Sequence, residues 1–340
     1  MKVLVTGASG FIGGYVVQEL LSKDYEVIGI DNNSKYGPTQ HTFDTHPKYT
    51  KIEADVCDVE KLISIMKDVD HVIAGAALIG GISYFHTYAY DLLAKNERII
   101  AATCDAAIAV MKLGSPLKKV TYLSSSMVFE STDRWPSVEG DQRLVPPPLS
   151  SYGFQKLAVE YFAQAAWDQY KLPFTILRPF NCVGIGERRA LGELEIMSGN
   201  VPLAMSHVVP DIVQKILKGQ YPLHILGDGS QIRHYTYGGD LARGIVLSLE
   251  NPEAFNQDFN LSTSVGTSVL ELAEMIWHKI NPSKPFAYVS DEGFEHDVKK
   301  RIPSTKKAEA ILGFVAETNL DEMLDELIPW INTAIQDGII

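Results

Sequence analysis

Tyr152 and Lys156 stand four residues apart in the stretch Tyr152-Gly153-Phe154-Gln155-Lys156. On a helix, that spacing puts a phenol and an ammonium on one face. A cation beside a phenol favours the phenolate, so Lys156 is expected to lower the Tyr152 pKa towards neutrality. A phenolate is a general base for a hydroxyl proton. The lysine can also bind the ribose of a nicotinamide. By itself this spacing is common and also fits any helix with one aromatic and one solvated lysine. A second group adds weight. Ser124-Ser125-Ser126 follows the apolar run Val120 to Leu123. Ligands of parallel α/β sheets bind at the carboxyl ends of strands. A serine hydroxyl there can hydrogen-bond the oxygen that the phenol deprotonates.

A glycine pattern supplies the partner for that chemistry. The chain starts MKVLVTGASGFIGG, an apolar run followed by Gly7, Gly10 and Gly13, then an amphipathic stretch from Phe11 to Ser22. This reads as strand, tight turn and helix. Gly7 permits the turn, Gly10 a close approach of a pyrophosphate, and Gly13 close packing of helix on strand. The apolar run from Val27 to Ile30 ends in Asp31, about twenty residues on, where a carboxylate can accept ribose hydroxyls. The pattern predicts dinucleotide binding. Asp31 would repel a 2′-phosphate, and Lys35 is the nearby cation, so NAD is expected over NADP.

The elements that must position these groups follow from periodicity. Strands are expected at 49–54, 71–74, 120–123 and 174–177, and helices at 59–67, 90–113 and 152–170. This alternation predicts an α/β, Rossmann-like, doubly wound parallel sheet with helices on both faces. Beyond Arg178 the elements become short and mixed. Helices are expected at 208–218, 268–280 (with Thr267 as N-cap) and 320–335. The reading is a domain at 1–180 and a smaller mixed α/β lobe at 181–340, with a strand near 259–262 returning to the main sheet.

Composition limits the partners. With 30 Lys+Arg against 42 Asp+Glu, the formal net charge of -12 disfavours nucleic acid. The longest apolar stretch, 72–82, is too short and glycine-rich to span a membrane. Cys57, Cys104 and Cys182 are far apart, which predicts buried thiols, no metal site and a reducing, cytoplasmic compartment.

Taken jointly, these motifs resemble the extended short-chain dehydrogenase/reductases of the nucleotide-sugar epimerase/dehydratase family. The landmarks are TGASGFIG at 6–13, Asp31, Asp55-Val56, Ala76-Ala77, the serine triplet, YGFQK at 152–156, RPFNCVG at 178–184, GDGSQIRHYTYGGD at 227–240 and RIPSTKKAEAILGF at 301–314. The resemblance implies NAD in the first lobe and a nucleotide diphosphate sugar in the second, a UDP-sugar by preference. It implies cofactor contacts from Ser9, Phe11, Ile12, Asn32, Asp55, Val56, Ala76, Ala77 and Pro179, besides the glycines, Asp31, Tyr152 and Lys156. Ser125 becomes the catalytic hydroxyl. Gly80, Gly81, Ser126, Asn181, Arg189, Arg233 and Arg301 would face the sugar or its diphosphate, with Lys300 as an alternative to Arg301. The family pairs its long helices into an intersubunit bundle, so a homodimer is expected, with Leu92, Leu93, Ile99, Ile100, Phe162, Ala165 and Ala166 on the apolar faces.

Departures from the family narrow the reaction. Dehydratases carry an Asp-Glu pair where this chain has Ser126 and Met127. A thioether cannot take or give a proton. Ser125, Tyr152, Lys156 and NAD suffice for epimerisation at C4 through a 4-keto sugar. A 4,6-dehydratase, a 3,5-epimerase or an NAD(H)-consuming reductase remain as alternatives. The pair Gly80-Gly81 resembles the 3,5-epimerases. His234 stands where an aspartate is usual, and Phe294-Glu295-His296-Asp297 replaces a more basic segment.

Overall fold

The structure, a computed structural model, describes residues 1–80, 88–192, 196–203, 207–293 and 298–340. Gly81 and the segment 294–297 lie outside the described residues. The first six strands are β1 (Lys2–Thr6), β2 (Glu26–Asp31), β3 (Tyr49–Glu53), β4 (His71–Ala74), β5 (Lys119–Leu123) and β6 (Phe174–Pro179). They form one sheet with a seventh strand, Gln257–Leu261, in the order Gln257–Leu261, β6, β5, β4, β1, β2, β3. All six pairings are parallel. The return of Gln257–Leu261 places Phe259 beside Leu177 and Asn260 beside Arg178.

Strand alternation divides the core into two layers. In β1, Val3 and Val5 face one side, where the helices Phe11–Ser22 and Gly238–Glu250 contribute Val16, Leu20, Leu241 and Ile245. Leu4 faces the other, among Leu62, Ile99, Ile100 and Val159 from the helices Val59–Met66, Ala89–Lys112 and Ser151–Tyr170. A third core joins the helices Val208–Leu217, Val269–Ile280 and Leu320–Gln336. Helix Gly238–Glu250 is not anticipated from the sequence, because its glycines and polar start mask a buried stripe. The N-cap of Val269–Ile280 is Ser268, not Thr267. Its hydroxyl accepts from Glu271 N while Glu271 accepts from Ser268 N, a reciprocal cap.

Cys104 and Cys182 are buried, but Cys57 is only half-buried beside Asp55; all three are free thiols. No described helix is long and apolar enough to cross a membrane. Among the described residues no His, Cys, Asp and Glu side chains cluster as a metal site.

One buried ion pair locks helix Ser151–Tyr170 to the sheet. Arg178, on β6, is fully buried. Its Nε donates to Glu160 Oε1 at 2.7 Å and its Nη2 to Glu160 Oε2 at 2.8 Å. Nη2 also reaches Asp258 Oδ2 at 2.7 Å, and Lys307 holds Asp258 Oδ1 at 2.8 Å. Ser124 Oγ and Gln142 Nε2 complete the shell of Glu160. Burial works against the Arg178 charge, but the two carboxylates more than offset it and raise its pKa. Removing Glu160 would leave Arg178 with Asp258 alone and its Nε unpaired in the core. Glu160→Ala should therefore lower stability by about 3–5 kcal/mol in denaturant unfolding. A loss of under 1 kcal/mol would show that the network is dispensable.

Candidate active site

A cavity of about 560 Å³ opens at the carboxyl ends of the strands, where the strand order reverses between β1 and β4. Of the residues singled out from the sequence, Gly7, Gly10, Phe11, Ile12, Gly13, Asp31, Asn32, Val56, Ala76, Ala77 and Gly80 line it from the first half of the chain. Ser125, Ser126, Tyr152, Lys156, Pro179, Asn181, Arg233 and Arg301 line it from further along. Ser9, Asp55 and Arg189 do not line it.

The turn after β1 is built by steric necessity. Gly7 has φ +75, and a Cβ there would meet Ala76 Cα at 2.9 Å. A Cβ on Gly13 would lie 2.0 Å from the Gly7 carbonyl oxygen. Thr6 Oγ1 accepts from Gly75 N and Ala76 N, both at 3.1 Å, and so joins the ends of β1 and β4. Asn96, buried on helix Ala89–Lys112, clamps Leu78 through both its N–H and its carbonyl. Asp31 is held by its neighbours. Its Oδ2 accepts from Ser9 N at 3.0 Å and its Oδ1 from Asn33 N at 2.8 Å. Ser9 thus acts on Asp31 through its backbone. Asp55 is expected to face the cavity, but its carboxylate turns to Lys95 at 2.8 Å and to Cys57 N. The nearby cation on helix Ala89–Lys112 draws it away.

Ser125 lies close enough to Tyr152 for its hydroxyl to lower the Tyr152 pKa, and both line the cavity. Ser125 Oγ is fixed at the start of the turn Ser126–Phe129, where it accepts from Met127 N at 3.2 Å. Ser150 Oγ caps helix Ser151–Tyr170 by accepting from Gly153 N, and so sets its first turn beside Ser125. The expected effect of Lys156 on Tyr152 is not what the structure shows. Lys156 Nζ donates to the Leu123 carbonyl at 2.9 Å and lies 5.9 Å from the Tyr152 ring centre. The last carbonyl of β5 has recruited the ammonium. Burial lowers the Lys156 pKa to about 8. Burial raises the Tyr152 pKa, against a lowering by the Ser125 hydrogen bond and by the charge of Arg301.

Arg301 and Lys300 part company. Arg301 lines the cavity, while Lys300 Nζ lies over the Trp135 ring at 5.3 Å. Arg233 Nη1 donates to the Ile232 carbonyl at 3.0 Å. His234 is buried, with Nδ1 2.9 Å from the Thr263 carbonyl, and burial lowers its pKa. Asn181 donates to the His234 carbonyl at 3.2 Å.

Several cavity groups are not singled out by sequence reasoning. Glu130 lies on the wall next to Met127, with Oε2 accepting from Ser150 N at 2.9 Å. His207 lines the second-lobe wall, its Nδ1 2.6 Å from the buried Glu187. Asp211 and Lys215 form an ion pair at 3.0 Å on helix Val208–Leu217. The signal for the last was present: opposite charges at i and i+4 in an otherwise apolar helix.

The fold and this site define a cofactor-dependent enzyme of the doubly wound α/β class. Residues 3–262 match the model of the NAD dependent epimerase/dehydratase family, and the chain belongs to that family. UDP-glucose 4-epimerase 3 of Oryza sativa is 29% identical, over 97% of this chain and 89% of that one. Among solved structures, UDP-glucose 4-epimerase of Thermotoga maritima with UDP-glucose is 25% identical at a TM-score of 0.80, covering 98% of this chain and 100% of that one. UDP-glucuronic acid 4-epimerase of Bacillus cereus with UDP-glucuronic acid and NAD is 26% identical at 0.80, covering 98% and 99%.

The cofactor is NAD, and the residues present fit it. Gly10, the N-cap of helix Phe11–Ser22, offers no capping side chain, so the first-turn N–H groups remain open to a phosphate. Asp31 keeps a lone pair on each oxygen for ribose hydroxyls.

Tyr152→Phe removes the hydroxyl and keeps the ring. General acid-base catalysis contributes about 10²–10⁴-fold, so kcat should fall by that order while KM changes little. Steady-state kinetics check this, and a fall of less than tenfold would remove Tyr152 from the proton step.

Proposed function

We propose that the protein epimerises C4 of a UDP-hexose or UDP-hexuronate through a transient 4-keto sugar. The observation that carries this reading is the meeting of Ser125 and Tyr152 in one cavity shared with the glycine turn, with Ser126 and Met127 on the same wall. Tyr152 takes the proton of the 4-hydroxyl and Ser125 holds the same oxygen. Bound NAD supplies the carbon that accepts and returns a hydride. Lys156 holds the cofactor ribose. Arg233 and Arg301 offer guanidinium groups to the diphosphate. Asp31 takes the adenosine ribose and disfavours NADP. Residues 1–180 with strand Gln257–Leu261 would then form the cofactor lobe and the rest of 181–340 the nucleotide-sugar lobe.

Glu130 favours a second reading, dehydration or inversion at C3 or C5, because it is a carboxylate on the same wall. One of its oxygens is committed to Ser150 N. Incubation with a panel of nucleotide sugars in D₂O, read by NMR, separates the two. C4 epimerisation exchanges no carbon-bound hydrogen with a protein base, so the product should carry no ring deuterium. Deuterium at C3 or C5 would overturn the C4 reading in favour of the second.

We also propose a homodimer. Leu92, Ile99, Ile100 and Ala166 are used up in the chain's own core. Of the expected residues Ala165 is exposed and Leu93 and Phe162 are half-buried, and the most exposed large apolar side chains of the two helices are Tyr90 at 76%, Tyr161 at 61% and Phe154 at 47%. Phe154 and Tyr161 lie seven residues apart and share one stripe. Sedimentation at micromolar concentration should give a dimer, and Tyr161→Glu should weaken it. A wild-type monomer at that concentration would reject the assembly.

A further inference from the structure

Helix Val208–Leu217 carries an ion pair that its packing does not require. Val209, Ile212, Val213 and Ile216 fill the third core, yet Asp211 and Lys215 are also buried, with side chains 9% and 2% exposed. Buried pairs of this kind seldom stabilise a fold over apolar packing. Lys215 Nζ contacts Asp211 Oδ2 at 3.0 Å and donates to the His224 carbonyl at 3.0 Å. An ammonium has three N–H groups, so one remains. Asp211 Oδ1 is buried with no partner among the described residues, a costly state for a carboxylate oxygen. Both residues line the cavity that holds Tyr152. The pair therefore offers one acceptor and one donor, side by side, to a ligand.

We propose that Asp211 and Lys215 read the nucleobase of the substrate, Asp211 Oδ1 accepting a ring N–H and Lys215 Nζ donating to the adjacent carbonyl. An oxo-pyrimidine presents that edge, and uracil is the base named here because the proposal rests on the UDP-sugar reading above. Cytosine carries an unprotonated ring nitrogen and an amino group in those places, so both contacts are lost. Rejecting such an analogue is what buried polar groups do well, since they are left unpaired by it.

The test is calorimetric binding of UDP and of CDP to the full chain with NAD. Wild type should bind UDP at least about tenfold more tightly than CDP. The double variant Asp211→Leu with Lys215→Met replaces the pair by apolar volume and should lose about tenfold or more in UDP affinity, together with the preference. Asp211→Asn keeps the shape without the charge and should shift the UDP/CDP ratio in the same direction, which covers a double variant that fails to fold. A wild type that prefers UDP, with that ratio unchanged in the variants that fold, overturns the role of the pair and leaves the UDP-sugar reading intact. A wild type that binds no UDP overturns that reading, and this one with it.

Discussion

The bidentate contact between Arg178 and Glu160 is the constraint on which the rest of the site depends. Arg178 belongs to β6 and Glu160 to helix Ser151–Tyr170, so the pair fixes how that helix lies on the sheet. The same carboxylate takes Ser124 from the end of β5. The same guanidinium takes Asp258 from the returning strand, which takes Lys307 in turn. With Gln142, which also donates to Glu160, five separate parts of the chain thereby meet at one buried charge pair, and Lys307 adds a sixth through Asp258. Such a pair adds little net stability, because desolvation consumes most of the Coulomb attraction. Its effect is geometric. A fork-shaped guanidinium held at two nitrogens by one carboxylate tolerates little rotation or slip.

Position matters here because the polar contacts at the cavity are short-range. Ser125 Oγ is held by Met127 N and lies near Tyr152. Its strand ends one residue before the Glu160 contact at Ser124. A shift of helix Ser151–Tyr170 by one residue would move Tyr152 off that oxygen altogether. Burial raises the Tyr152 pKa and lowers that of Lys156 to about 8. Both shifts disfavour charge in the cavity, and both place a proton-holding group where a charged ligand will alter the balance. Arg301 already does so in part, pulling Tyr152 down from the opposite lobe.

The second lobe completes the cavity with a different economy of contacts. Its strands are two to four residues long, and its helices pack on one another rather than on a large sheet. It contributes cations and backbone carbonyls to the cavity wall: Arg233, Arg301, Lys215 and the His224 carbonyl. An acidic protein can in this way host a polyanionic ligand, since a few fixed donors in a low-dielectric cleft outweigh a dispersed surface charge.

The features legible in the amino acids alone are those that local geometry dictates. The glycine turn, Asp31 at the end of β2 and the alternation of strands and helices were legible because each depends on steric need or on periodicity over a few residues. So was the meeting of Ser125 and Tyr152 at one strand end and one helix start. Side chains with a choice of partners are placed by the folded chain. Asp55 turned to Lys95, Lys156 to the Leu123 carbonyl and Lys300 to Trp135, and each such choice depends on groups 33 to 165 residues away. Leu92, Ile99 and Ile100 went to the core, and Tyr161 was left outside, because several faces of both helices are apolar and only packing assigns them. The buried pairs Arg178–Glu160 and Asp211–Lys215 belong to the same class. A charge in an apolar run marks a partner in the sequence, but only the folded chain names it.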